Sequence, residues 1–151
     1  MCFLISRSRP RPSLNVHMLT LNVATQQHSQ LLPITDAVSR AVADSGVTDG
    51  TCTLYCLRTT AALTINENAV SDVVRDVLLA VDKLIPWDAP EYCQVEENSA
   101  AHVKACFFGS SKHVIIRDGR LVLGTWRGIY FCEFDGSRRR QVHLQIVSAH
   151  P

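Results

Sequence analysis

Apolar and polar positions alternate with two different periods along this chain, and the changes of period mark its elements. Residues 16–23 alternate well enough for a first strand. Residues 26–30 are polar and read as a loop. Ile34, Ala37, Val38, Ala41 and Val42 then recur at the spacing of one helical face. Thr35 can cap that helix, Asp36 suits its first turn, and Gly46 can end it. Thr48-Asp49-Gly50 reads as a turn. Residues 51–57, rich in Thr, Leu, Tyr and Cys, read as a buried strand, and residues 59–65 continue it or break it briefly. Val70, Val73, Val74, Val77, Leu78, Val81, Leu84 and Ile85 make a second amphipathic helix, which Pro86 stops. Its apolar face reads as core rather than as a partner groove.

The second half is written in the shorter period. Residues 87–100 are irregular, and residues 101–108 form a short helix that Gly109 ends. Asp118-Gly119 lies between the strand-like residues 113–117 and 120–123, a strong hairpin signal. Residues 126–134 and 138–147 are two more strands around Asp135-Gly136-Ser137. The pattern predicts an antiparallel meander here. The whole chain reads as α+β, with a dominant antiparallel sheet folded into a sandwich and two main helices. No internal repeat or linker divides it, so residues 14–151 form one domain.

Composition narrows the class. The chain has 151 residues, of which 46% are hydrophobic and 19% charged. That is ample for a core and argues against disorder. A net charge of +1 carries no global bias toward nucleic acid. No apolar run approaches the roughly 20 residues of a membrane span. The six cysteines show no CxxC spacing and mostly have apolar neighbours. They read as reduced structural thiols, which favours a reducing compartment, the cytoplasm. Residues 1–13 hold Arg7, Arg9 and Arg11, and no acid precedes Asp36. An organellar leader has that composition. Pro10 and Pro12 interrupt any amphipathic helix, so a disordered extension is the preferred reading.

Chemistry concentrates in three stretches. In residues 58–68, Arg58 and the paired hydroxyls of Thr59 and Thr60 precede Glu67, which stands between Asn66 and Asn68. The amides can orient Glu67 in a site, or all three can make turn hydrogen bonds. In residues 98–111, His102 is a candidate acid, base or ligand, or else a satisfied structural histidine. Lys104 lies beside it. Gly109-Ser110-Ser111 can cradle phosphate or simply turn the chain. In residues 124–140, Trp126 and Tyr130 can stack a heterocycle or fill the core. Glu133 and Asp135 can share a strand face, and so can Arg127 with Glu133. Arg138-Arg139-Arg140 is a solvated charge run or an oxyanion clamp.

These blocks also carry a resemblance. Residues 59–68, Ala101-His102-Val103-Lys104-Ala105, Gly109-Ser110-Ser111, and Gly124-Thr125-Trp126-Arg127-Gly128-Ile129-Tyr130 with Glu133 and Arg138-Arg139 occur in the order found in the YjbQ-like family. Its members carry the label "secondary thiamine-phosphate synthase enzyme". The resemblance covers residues 14–147. It implies a jelly-roll-like β-sandwich, a homotrimer, and a weak ability to join the pyrimidine and thiazole halves of thiamine phosphate. The chain departs from the family pattern where Arg58 replaces a histidine before the paired hydroxyls. Gln94 stands where a second histidine is usual, and Arg127 where relatives often have glutamine. Of three histidines that could converge, His102 remains. Arginine has no lone pair for a metal, so a metal centre is not expected, whereas an anion is better held.

Two functions follow. In the first, a transferase joins a pyrimidine diphosphate to a thiazole phosphate. Glu67 and His102 are its catalytic candidates. Arg58, Thr59, Thr60, Lys104, Ser111, Arg127 and Arg138 are its substrate-binding candidates, and Mg²⁺ accompanies the diphosphate. In the second, a non-catalytic trimer binds a phosphorylated small molecule. RNA binding through Arg138 to Arg140 ranks third, since the net charge is near zero and no RNA motif is present.

Overall fold

The computed structural model describes residues 15–93 and 95–150. The expected leader (residues 1–13) and Gln94 lie outside the described residues. The elements, in chain order, are β1 Val16–Ala24, β2 Gln30–Pro33, α1 Thr35–Ser45, β3 Gly50–Cys56, β4 Ala61–Glu67, α2 Ser71–Leu84, α3 Ser99–Phe108, β5 Ser111–Arg117, β6 Arg120–Leu121, β7 Arg127–Glu133 and β8 Arg139–Ser148. The fold is α+β, with curled antiparallel sheets and three helices. A five-stranded sheet has the order β1-β8-β3-β5-β6, and a three-stranded sheet the order β2-β7-β4.

Two cores stack on either side of the smaller sheet. The period of two in β3, β5 and β8 turns Cys52, Leu54, Val114, Ile116, Val142, Leu144 and Ile146 inward. They meet Leu63, Ile129 and Phe131 of the smaller sheet, Ile34 just before α1, and Val38 and Val42 of α1. The opposite face of the smaller sheet presents Leu31, Ala62, Tyr130 and Cys132, and Phe134 follows them. These pack against α3 through Ala101 and Ala105, and against Val74, Val77 and Leu78 of α2. Strand β7 is therefore buried from Gly128 to Glu133, which explains its unbroken apolar run.

The observed fold corrects several expectations. Residues 126–147 do not form a meander. β7 pairs with β2 and β4, while β8 inserts between β1 and β3. The segment around Gly136 carries the chain from one sheet to the other. In sequence, two strand-like runs around Asp135-Gly136-Ser137 look like a hairpin, and a strand pattern says nothing of which sheet each strand joins. β2 was hidden in a polar loop and a helix start, being four residues long and ending in Pro33. Gly50 opens a strand rather than closing a turn. Thr35 does not cap α1, whose N-cap is Ile34. Its hydroxyl instead accepts from the Ile129 amide at 2.8 Å, tying the helix to β7. The apolar face of α2 packs on the second core, but no α2 residue is fully buried. Asp118 and Gly119 both have positive φ, as the expected tight hairpin between β5 and β6 requires.

No helix among the described residues is long and apolar enough to cross a membrane. Five cysteines are described and all are free thiols, three of them buried. Burial pushes the Cys52 thiol from 9.0 up to about 11. Its folded value lies above its unfolded one, so the associated stability is complete below pH 9 and is lost as pH rises toward 11. A urea-denaturation series from pH 8 to pH 11 should show stability falling by up to about 1.4 kcal/mol per pH unit for this thiol. Cys52→Ala should flatten that slope.

Gly50 lies where β3 meets the end of β8. A Cβ there would stand 2.0 Å from the carbonyl oxygen of Val147. Gly50→Ala must push the central strand aside, and is expected to cost about 1–3 kcal/mol in chemical denaturation, with the m-value unchanged.

Candidate functional site: a cleft beside a buried ion pair

The alternation of β8 turns Arg140 to the same inner face as Val142, Leu144 and Ile146. A guanidinium in a core requires a partner, and Glu133, wholly buried at the end of β7, supplies it. Arg140 donates from Nε to Glu133 Oε2 at 2.7 Å and from Nη2 to Oε1 at 2.6 Å. Nη2 also donates to Thr60 Oγ1 at 3.1 Å. The carboxylate further accepts from the amides of Phe134 and Asp135 and from the Thr25 hydroxyl. The hydrogen bond to Glu133 holds the Arg140 pKa above its ordinary value, against the opposing effect of burial. One ion pair thus fastens the ends of β1 and β7 to the starts of β4 and β8.

Thr60 sits at this junction, and the exposed residues before it, Arg58 and Thr59, are presented at a fixed corner. Across from the corner runs α3. Its small residues Ala101 and Ala105 are buried against β4 and let the helix approach closely. His102 and Cys106, one turn apart, then face the corner. Arg58, Thr59, His102, Cys106, Tyr55 and Ser110 line an open cleft of about 500 Å³. Cys56 also lines it, but burial raises its thiol pKa, so it is a neutral packing group at neutral pH.

The remaining candidates lie elsewhere. Thr60 is buried under Arg140. Lys104 is buried, and its ammonium donates to Asp82 of α2 at 2.5 Å, which anchors that helix. Ser111 is paired with Tyr55 at the start of β5. Glu67 and Arg127 are register partners at the far end of β4 and β7. At about 3.4 Å per residue, Glu67 lies roughly 20 Å along β4 from the cleft. Its carboxylate accepts from the Ala69 amide, and its own amide donates to Asn66, which are turn hydrogen bonds. Asn68 accepts from the buried Tyr130 hydroxyl at 2.7 Å, so Tyr130 is a core residue; Trp126 is exposed. Arg138 is held by Asp135, through Nε to its carbonyl at 2.7 Å and Nη2 to its carboxylate at 2.9 Å. Asp135 therefore lies in the turn and does not share an inner face with Glu133. No group of three or more His, Cys, Asp or Glu among the described residues is placed to hold a metal ion.

Two cleft residues were not anticipated. Cys106 follows His102 by four positions on a helix, a spacing visible in sequence. Tyr55 lies on the outward face of β3, and only the approach of α3 brings it to the cleft. Arg140, expected on a solvated edge or clamp, is structural, as its place in the alternation of β8 could have indicated.

Glu133→Ala would leave Arg140 buried without its counter-charge and is expected to destabilise the fold by about 3–5 kcal/mol in urea denaturation. Replacing both partners, Glu133→Leu with Arg140→Met, should cost clearly less, because no charge is then stranded.

Comparison with known proteins places this geometry. The family model described as UPF0047 protein YjbQ-like matches residues 19–149. UPF0047 protein YugU of Bacillus subtilis is 44% identical over 128 residues, covering 85% of this chain and 97% of YugU. A UPF0047 protein of Methanocaldococcus jannaschii is 41% identical over 127 residues, covering 83% of this chain and 90% of its own length. The crystal structure of an uncharacterised YjbQ/UPF0047 protein from Clostridium acetobutylicum matches with a TM-score of 0.83 at 48% identity, covering 85% of this chain and 98% of that one. A YbjQ-like protein of unknown function from Sulfolobus solfataricus gives a TM-score of 0.82 at 29% identity, covering 90% of this chain and 99% of that one. With its fold and nearly its whole described length accounted for in this way, the chain belongs to the UPF0047 family of YjbQ-like proteins.

Proposed function

We propose that this protein binds a phosphorylated small molecule in the cleft between the Arg58–Thr59 corner and α3. The observation that carries this reading is the meeting of an exposed guanidinium, a hydroxyl and an imidazole in one concavity. Arg58 and Thr59 approach from the β3–β4 link and His102 from the helix. A guanidinium is permanently charged and fits a phosphate in two-point fashion. Tyr55, Leu57, Ala61 and Ala105 give the same cleft an apolar wall for the body of the ligand. Lys104 and Arg138, with their acidic partners, are supports rather than ligand contacts in this reading.

A second reading is catalytic and is favoured by His102 lying in that cleft. The chemistry would join a pyrimidine methyl diphosphate to a thiazole phosphate. The C–O bond to diphosphate breaks, the leaving group departs with the electron pair, and the thiazole nitrogen forms the new C–N bond at the methylene carbon. Arg58 with Mg²⁺ would neutralise the diphosphate, and His102 would donate a proton to the departing diphosphate oxygen. Glu67, at the far end of β4, and its register partner Arg127 on β7 stand too far away to share this cleft within one subunit. They would enter only from a neighbouring subunit, or serve the distant end alone.

The assembly we propose is a homotrimer. The outer face of the five-stranded sheet supports it: Met18 and Ile115 are exposed there at 62% and 59%. The strand orders β1-β8-β3-β5-β6 and β2-β7-β4 pass between the sheets as a jelly roll does, which supports a jelly-roll-like sandwich. The free thiols suit the cytoplasm.

Thermal shift of the purified protein against phosphate esters and heterocyclic phosphates tests the binding reading. At least one phosphorylated compound should raise Tm, and Arg58→Ala should abolish the rise. No stabilisation by any of them would remove it. Formation of thiamine phosphate by the wild type with Mg²⁺, absent in His102→Ala, would select the catalytic reading; no product from the wild type would exclude it.

A further inference from the structure

On the other side of Arg58 lies a second concavity, of about 700 Å³, where β1 ends and β8 begins. Arg58, Arg139, Arg140, Asn22 and Gln141 supply its polar lining, and no carboxylate lines it. Alternation along β8 sends Arg139 outward and Arg140 inward, while the link after β3 brings Arg58 beside them. Arg140 is 6% exposed and rigidly oriented by Glu133. It spends Nε and Nη2 on Glu133 and Thr60, and Nη1 makes no hydrogen bond to the described residues. Arg58 and Arg139 have no acidic partner among the described residues. Gln141 donates to Asn22 at 3.2 Å, which fixes the two amides on the wall.

Three guanidiniums around one hollow, with one counter-charge among them, repel each other unless an anion enters. We infer that this hollow is a binding site for a diphosphate-class anion, inorganic pyrophosphate or the diphosphate end of an ester, held by Arg139, Arg58 and the free Nη1 of Arg140. A diphosphate carries more negative charge than a monophosphate and offers two phosphoryl groups to three guanidiniums set around a hollow of about 700 Å³. Arg140 is the preorganised member, since its orientation is set before any ligand arrives. Arg139 and Arg58 are exposed and supply the remaining charge. The site shares Arg58 with the His102 cleft but stands on Arg139 and Arg140, so it holds whether or not that cleft takes a ligand.

Isothermal titration of the full-length protein with inorganic pyrophosphate, and with orthophosphate for comparison, tests this in low-salt chloride buffer. Pyrophosphate should bind at least about tenfold more tightly than orthophosphate, and binding should weaken as salt rises. Arg139→Ala should weaken pyrophosphate by about tenfold or more, the loss expected for one charge-assisted contact. Arg139→Lys should retain part of the affinity. Arg117→Ala, which removes an exposed arginine from β5, should bind as the wild type does. No measurable pyrophosphate binding overturns the inference. So does an Arg139→Ala protein that binds normally, or one weakened no more than Arg117→Ala. If His102→Ala weakens pyrophosphate while Arg139→Ala does not, the anion lies in the cleft and this site is wrong, with the cleft reading left standing.

Discussion

The pairing of Glu133 with Arg140 is the constraint on which the rest of this structure depends. It joins the smaller sheet to the larger at the point where the chain crosses between them, and every hydrogen-bonding position on the carboxylate is occupied. Such a pair gains little net free energy over an apolar contact of the same shape, because both ions are desolvated. Its value is geometric. Arg140 can be satisfied only if β7 ends and β8 begins where they do, and only if Thr60 lies beneath the guanidinium. The register of both sheets and the position of the β3–β4 corner are then set together.

From that junction the two concavities follow. Thr60 is held, so Arg58 and Thr59 must project, and they project into the space between the sheet ends and α3. The alanines of α3 bring the helix backbone near β4 and bring His102 with it. Arg58 stands on the ridge between the two hollows and lines both. At that position a guanidinium brings a fixed positive charge and no lone pair for a metal.

Charged residues elsewhere act as fasteners. α2 buries none of its side chains fully, and the ion pair from Lys104 to Asp82 ties it to α3 in addition to its partial apolar contacts. Arg138 closes the turn at Asp135. At the far end of β4, Asn68 and the Tyr130 hydroxyl lock the loop after Glu67. A side chain that looked like a ligand contact in sequence can thus be occupied holding two elements together, and only its partner tells which.

The periods of two and 3.6 determined, by themselves, the α+β class, the positions of the longer elements, and the buried positions Ile34, Val38 and Val42 at and along α1, because each of those depends on local geometry alone. The sequence blocks around Thr59, His102 and Gly124 were enough to indicate the family. β2 was not legible, since four residues ending in proline carry no readable period, and neither was the crossing of the chain between sheets at Gly136. Within the candidate site, Arg58, Thr59 and His102 were legible and do meet. Lys104, Arg138 and Thr60 were legible as chemistry but not as fasteners, and Arg140 was lost inside a run of three arginines. Which of those arginines is buried, paired or free was decided by the tertiary structure. Burial and counter-charge come from strands distant in sequence, and a charged group's role is set by what surrounds it.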